Sequence, residues 1–289
     1  MTERRDVLSN NDYLRFSATI ITVPERLEMA RDLQQKLREE LGAVLCDRIA
    51  ILLDEQKQGY EYNAKRALAV HALWCNSLRT DVGMFFTDDA DLCQDFGYGV
   101  RKTYALVRSV HGSKPFAISY SDWRCYAKEV GDTGSHWTVG DALYDMCFAA
   151  PSFVFSDLLK WTCLHRCMNG EKDMPSWTDY LMRAMFRYRN WPVFNPTPSL
   201  VDHALPKDSV MGHNAHHIDR TNKNALTGSA FDVDWAQGLR KPWKRPFSAK
   251  YPSPEWAPRT VIDCREEFDD YMQKAQDLDL EGKLLCGSV

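Results

Sequence analysis

No apolar run approaches the ~20 residues that a bilayer-crossing helix needs, so no membrane span is expected. Neither G-x-G-x-x-G nor G-x-x-x-x-G-K-[ST] occurs, which removes the dinucleotide-binding turn and the P-loop from consideration. No C-x-x-C pair or Cys/His array is present. The nine cysteines are odd in number and scattered, as expected of reduced thiols. Cys163 and Cys167 lie four apart on an apparently helical stretch, a spacing that suits packing. Positive charge is not in excess: 36 Lys and Arg face 40 Asp and Glu, and the net charge is −4. With a pI near 6.1, this argues against a protein that simply coats nucleic acid, while leaving room for a local basic face. The opening MTERRDVLSNNDYLRF lacks the apolar centre of a secretory signal, so a cytoplasmic setting is expected. Repeats and low-complexity tracts are absent too.

What is present is enough for one large domain, or a domain with an extension: 289 residues, 44% of them hydrophobic and 12% aromatic. Leu14 to Val23 predicts a first strand. It leads into Thr22-Val23-Pro24-Glu25, whose spacing suits a capping box with proline in the first helical turn. Leu27, Ala30, Leu33, Leu37 and Leu41 then mark a helix with one face on a sheet. Arg48 to Leu53 predicts a second strand ending in Asp54. A second helix follows over roughly Glu61 to Cys75, with Ala67, His71 and Trp74 on one side. Strands alternating with helices in this way imply parallel pairing with right-handed crossovers.

The third strand is Val82 to Phe86, and it climbs into Thr87-Asp88-Asp89-Ala90-Asp91. Three acids within four residues repel one another unless a cation neutralises them. Hard oxygen donors favour Mg²⁺ or Mn²⁺, held through one or two carboxylates plus substrate phosphates. In open α/β sheets, ligands bind beyond the carboxyl ends of the strands. There the sequence places Thr22, Pro24 and Arg26 after the first strand, Asp54 after the second, and Asp88 to Asp91 after the third. Asp54 suits hydrogen bonds to a base or ribose, and Arg26, Lys65 or Arg66 suits phosphate charge. Each also has a plain structural role available: helix start, turn residue or solvated helix face.

The succession TVPER, ILLDE, NAKRA and FFTDDADLCQDF resembles the nucleotide-sugar half of GT-A glycosyltransferases. It is most similar to small, phage-type members with a DDA-type acidic motif and a downstream PSLV-x-H element, here Pro198-Ser199-Leu200-Val201-Asp202-His203. The likeness spans about Leu14 to Gly212 in motif order. It implies a GT-A (Rossmann-like) α/β fold with a mostly parallel sheet flanked by helices. It further implies a metal-dependent sugar transferase using a nucleotide-sugar donor, a UDP-sugar foremost, with Mn²⁺ or Mg²⁺. By position, Asp91 is the metal ligand, Asp89 holds the donor ribose or sugar and the ion, Asp88 supports it, and Asp54 meets the base. Thr22, Pro24, Arg26 and Lys65 complete the donor side. A neutral His203 suits a third metal ligand or a group that orients the acceptor, with His213 behind it, and His216 and His217 suit a polar loop.

Beyond the acids, Tyr98 to Val110 predicts a helix and Pro115 to Tyr120 a strand. Ser121 to Val139 suits a loop or hairpin at the sheet edge, where Trp123, Tyr126 and Trp137 are available for stacking or for packing under the loop. Ala142 to Ala149 predicts another strand, Ser152 to Leu164 a helix, and Ser176 to Arg189 a further helix. Asp179 falls in the first turn of that last helix, where a carboxylate complements the helix dipole. The resemblance implies a second role for Asp179, as the catalytic base of an inverting transfer.

The division expected is a transferase domain over 1–212, with a donor half at about 14–97 and an acceptor half at 98–212. An extension over 213–289 is expected to cover part of the site. Arg240, Lys241, Lys244, Arg245 and Lys250, interleaved with Trp243 and Phe247, suit a nucleic-acid strand or a pyrophosphate. Trp235 stands where a G-x-x-K-P-W echo of a retaining family would open with His. Glu266 to Leu278 predicts a closing helix. The acceptor expected from this combination is a hydroxyl, on a hydroxymethylated pyrimidine in phage DNA or on a protein or glycan. A nucleotidyltransferase on a similar fold and a non-catalytic nucleic-acid-binding protein are the alternatives.

Overall fold

Phe16–Thr22 forms the first strand, β1, and all seven of its residues are buried. Phe16, Ala18 and Ile20 enter one apolar core, and Ile21 enters a second on the opposite face. Ser17 and Thr19, on that second face, need polar partners there. His71 supplies them: Nδ1 lies 3.1 Å from the Ser17 hydroxyl, and Nε2 lies 3.0 Å from Thr19 and 2.9 Å from the Met84 carbonyl. Since a carbonyl only accepts, Nε2 carries the proton and Nδ1 accepts from Ser17. One buried imidazole thus ties β1 to the strand that bears Met84.

The computed structural model describes residues 14–42, 46–78, 80–121, 137–140, 143, 146–164, 178–203, 225–244 and 265–280. After β1, a 3₁₀ turn at Pro24–Arg26 leads into α1 (Leu27–Leu41). Then come β2 (Cys46–Leu53), α2 (Tyr60–Ser77), β3 (Val82–Thr87), the short β4 (Ala90–Leu92) and α3 (Phe96–His111). The second half holds β5 (Ala117–Ser119), β6 (Trp137–Gly140), β7 (Cys147–Pro151), α4 (Ser152–Leu164) and α5 (Thr178–Tyr188). It closes with β8 (Val193–Pro196), β9 (Val201–His203), β10 (Trp243–Lys244) and α6 (Arg265–Leu280).

Eight strands form one sheet in the order β10-β6-β8-β5-β7-β3-β1-β2, and β4 pairs with β9 in a separate ribbon. β1 is parallel to β2 and β3, and β5 is parallel to β8. β7 runs antiparallel between β3 and β5. β1, β2, β3, β5 and β8 therefore all point the same way, and their carboxyl ends share one edge. This is the α/β architecture expected, with a mixed sheet and a mostly parallel core between helices. α1 and α3 line one core, and α2, α4, α5 and α6 line the other.

Several local expectations differ from what forms. The Thr22–Glu25 capping box is absent: the 3₁₀ turn has no side-chain cap, because the Thr22 hydroxyl is bonded elsewhere. The strand expected at Ala142–Ala149 begins at Cys147. The stretch expected as a loop or hairpin contributes β6, where Trp137 is fully buried and donates its indole N–H to the Trp235 carbonyl at 2.8 Å. That ring packs in the core and has no face left for a ligand. Among the described residues no helix is long and apolar enough to cross a membrane.

Candidate functional site

The carboxyl end of β3 is a bonded cluster. The Thr22 hydroxyl, at the end of β1, donates to Asp88 at 2.6 Å. Arg26, one turn on, gives the same Nη1 to Asp88 at 2.8 Å and to Asp89 at 3.3 Å. Thr87 donates to the other Asp89 oxygen at 2.6 Å. Parallel pairing of β1 with β3, which sets Ile21 beside Thr87, brings these groups together. Asp88 is buried to 6% exposure. Burial pushes its carboxyl pKa up and the Asp89 charge adds to this, while the bonds from Thr22 and Arg26 oppose it.

The rest of the donor side lies around this cluster in distinct states. The Asp54 N–H donates to the Thr22 carbonyl at 2.9 Å, so the ends of β1 and β2 are joined. The buried Asp54 carboxylate accepts the Gln58 and Gly59 N–H groups at 2.9 and 2.8 Å, holding the turn before α2. Pro24 opens the 3₁₀ turn. Lys65 is directed elsewhere: its ammonium, 3% exposed, pairs with Glu61 at 3.0 Å and with Glu267 of α6 at 3.1 Å. Arg66 donates to the Leu53 carbonyl at 3.1 Å.

Asp91 stands apart from its neighbours. It is the middle residue of β4, between the buried Ala90 and the half-buried Leu92, and points outward with its side chain 53% exposed. Lys36 of α1 reaches it at 3.1 Å. Across the β4–β9 ladder, Asp202 lies directly opposite Asp91, and His203 is opposite Ala90. Opposed residues of an antiparallel pair share a face, where like charges repel. Asp202 also has interactions of its own in the fold.

No protein-family model matches the chain, and no curated protein matches its sequence.

Among the described residues, no three His, Cys, Asp or Glu side chains are arranged to cage a metal ion. Two carboxylates two positions apart, Asp89 in the turn after β3 and Asp91 on the β4–β9 ribbon, are hard donors. They suit an ion that takes its remaining ligands from phosphate and water, as Mg²⁺ does and a fully caged ion does not. Asp179 lies in the first turn of α5. The side chains of Asp179 and His203 lie outside the described residues, as do His213, His216, His217, Trp123, Tyr126, Arg245, Phe247 and Lys250. Arg240, Lys241 and Lys244 are exposed, and Trp235 is buried, its indole N–H donating to the Ala230 carbonyl at 2.9 Å.

Sequence reasoning passed over three contributors. Thr87 was legible as a hydroxyl touching the acidic run. Asn63, whose amide joins the Thr22 and Leu52 carbonyls at 3.1 and 2.8 Å, had a signal in being polar on a helix face that is otherwise apolar. Lys36 had none, being one more cation on the wet side of an amphipathic helix.

Proposed function

We propose that the chain is a metal-dependent glycosyltransferase that moves a sugar from a nucleotide-sugar donor, a UDP-sugar foremost, to a hydroxyl acceptor. The observation that carries this reading is the Thr22–Asp88–Arg26–Asp89 cluster at the shared carboxyl edge of β1 and β3. Asp91 follows on the next ribbon, and Asp54 lies beside Thr22. Ligands of open α/β sheets collect at that edge, and the resemblance to GT-A transferases supports assigning a nucleotide sugar there.

In this reading Arg26 and Thr22 fix the Asp88–Asp89 turn, so that Asp89 faces the donor with its orientation already set. Asp91 and Asp89 would hold Mn²⁺ or Mg²⁺, which when bound would neutralise the diphosphate leaving group. His203, expected as a third ligand, lies opposite Ala90 in the ladder, on the other face of the ribbon from Asp91. Asp202, opposite Asp91, adds to the negative potential that draws the cation in. The acceptor oxygen attacks the anomeric carbon as its bond to the phosphate oxygen breaks. Asp179 takes the acceptor proton, and the nucleoside diphosphate departs. The acceptor proposed is a hydroxymethylated pyrimidine of phage DNA.

Incubation with radiolabelled UDP-sugars and Mn²⁺ tests this directly. The expected products are free UDP and labelled acceptor, with both lost in Asp91→Ala. Release of pyrophosphate in place of UDP would move the chain to the nucleotidyltransferases. Full rate in Asp91→Ala would end the metal assignment.

A further inference from the structure

The opposite edge of the sheet has the opposite electrical character. β5 and β8 are parallel neighbours, with Ala117 beside Val193, so the chain entering each arrives at the same place. Into β5 comes the end of α3 and its turn, and into β8 the end of α5 and its turn. Aromatic contacts confirm the meeting, since His111 at the end of α3 packs 5.8 Å from Phe194 of β8. From Arg108 to Phe116, and from Arg183 to Phe194, the sequence contains no acid. Arg108, Lys114 and Arg189 are exposed there. Tyr188 is 53% exposed, one side of its ring held by Trp161 at 5.1 Å between centroids. Arg15 and Arg48, at the starts of β1 and β2, extend the positive edge while engaged within the fold. Asp81, at the start of β3, is an acid at this edge, and its carboxylate accepts the Arg15 N–H at 3.0 Å.

We infer that this amino edge is a docking surface for single-stranded nucleic acid, separate from the acidic carboxyl edge. The charge and the ring together select the occupant. Exposed guanidinium and ammonium groups attract a phosphate backbone and release its counterions. A half-exposed tyrosine backed by a second ring offers a stacking face, which an unpaired base can use and a base in a duplex cannot. In a chain of net charge −4, a cluster of exposed cations of this kind, with Asp81 as an acid at the same edge, is where a polyanion finds favourable potential. The surface needs neither a divalent ion nor a nucleotide sugar, so it stands or falls apart from the transferase reading.

Fluorescence anisotropy with a labelled single strand of about 20 nucleotides, at about 50 mM salt with chelator present, tests it. The wild-type chain binds, and log Kd rises linearly with log salt. Arg108→Glu/Lys114→Glu/Arg189→Glu weakens binding at least about tenfold and lowers the salt slope by about 2. Tyr188→Ala weakens the single strand about tenfold and leaves a duplex of the same length unchanged. These side chains are exposed, so thermal melts of the variants stay near wild type. Should the triple variant fail to fold, the Tyr188→Ala contrast between single strand and duplex decides alone. Three outcomes overturn the inference. They are no binding by the wild type, binding unaffected by these variants but lost in Arg240→Glu/Lys241→Glu/Lys244→Glu, and capture by phosphatidylserine vesicles without oligonucleotide binding.

Discussion

Asp88 and Asp91 are three positions apart and live in opposite environments, so their substitutions should separate stability from chemistry. Asp88 is buried and receives Thr22 and Arg26. In Asp88→Ala the Thr22 hydroxyl keeps only its longer bond to the Val23 carbonyl at 3.2 Å, and Arg26 keeps only the longer bond to Asp89. A loss of roughly 2 kcal/mol in urea denaturation is expected. Asp91 is exposed, and its pair with Lys36 is of the surface kind, worth under about 1 kcal/mol. Asp91→Ala should therefore melt within a few degrees of wild type while sugar transfer falls at least about 100-fold. Parallel thermal and activity assays read both. His71 sets the acid limit. Burial lowers its pKa from 6.5 to about 3, so between those values the unfolded chain binds one more proton than the folded one. Stability is thus expected to fall as pH drops below 6.5, by about 1.4 kcal/mol per unit, levelling near pH 3. Urea titrations across that window should show His71→Gln losing one proton equivalent from the slope.

At the scale of elements, the close approach of α3 to α1 leaves no room for a side chain at Gly97. A Cβ there would sit 2.0 Å from the Glu40 carbonyl oxygen, and the Gly97 N–H already donates to the Glu40 carboxylate at 3.0 Å. Gly97→Ala should cost about 3 kcal/mol, seen as a lower urea midpoint with the same slope. The first three strands and two helices were legible because their patterns are long: the buried run of β1, the one-sided repeat of α1, and β3 running into acids. β8 and β9 were not, since each spans three or four residues among prolines, too short for any period to register. β6 was hidden by its polar surroundings, and its burial depends on Trp235, far along the chain. The acids of the candidate site could be read in sequence. Which of them is anchored and which projects depended on Arg26 and Lys36, whose pairings no spacing announces. Lys65 shows the same limit: a cation placed by sequence on the donor side is drawn to Glu267 of α6 by a contact 202 residues away in sequence.

For the whole molecule, β1, β3 and β7 feed side chains to both faces of the sheet, so neither core can come apart without exposing the other. Buried tryptophans report on each: Trp74 on one face, Trp137 and Trp235 on the other. Unfolding followed by tryptophan emission and by far-ultraviolet circular dichroism should therefore trace one superimposable transition. Two separate midpoints would show that the faces unfold independently. A different dependence runs through the narrow ribbon of β4 and β9. Asp91 faces outward only because that three-residue ladder keeps its present alignment with Val201 to His203. Sliding by a single position would turn Asp91 inward and send Ala90 and Leu92 out to water. The placement of this carboxylate is therefore set by a partner strand about a hundred residues downstream, so a deletion near Leu200 should silence the site without touching any of its acids.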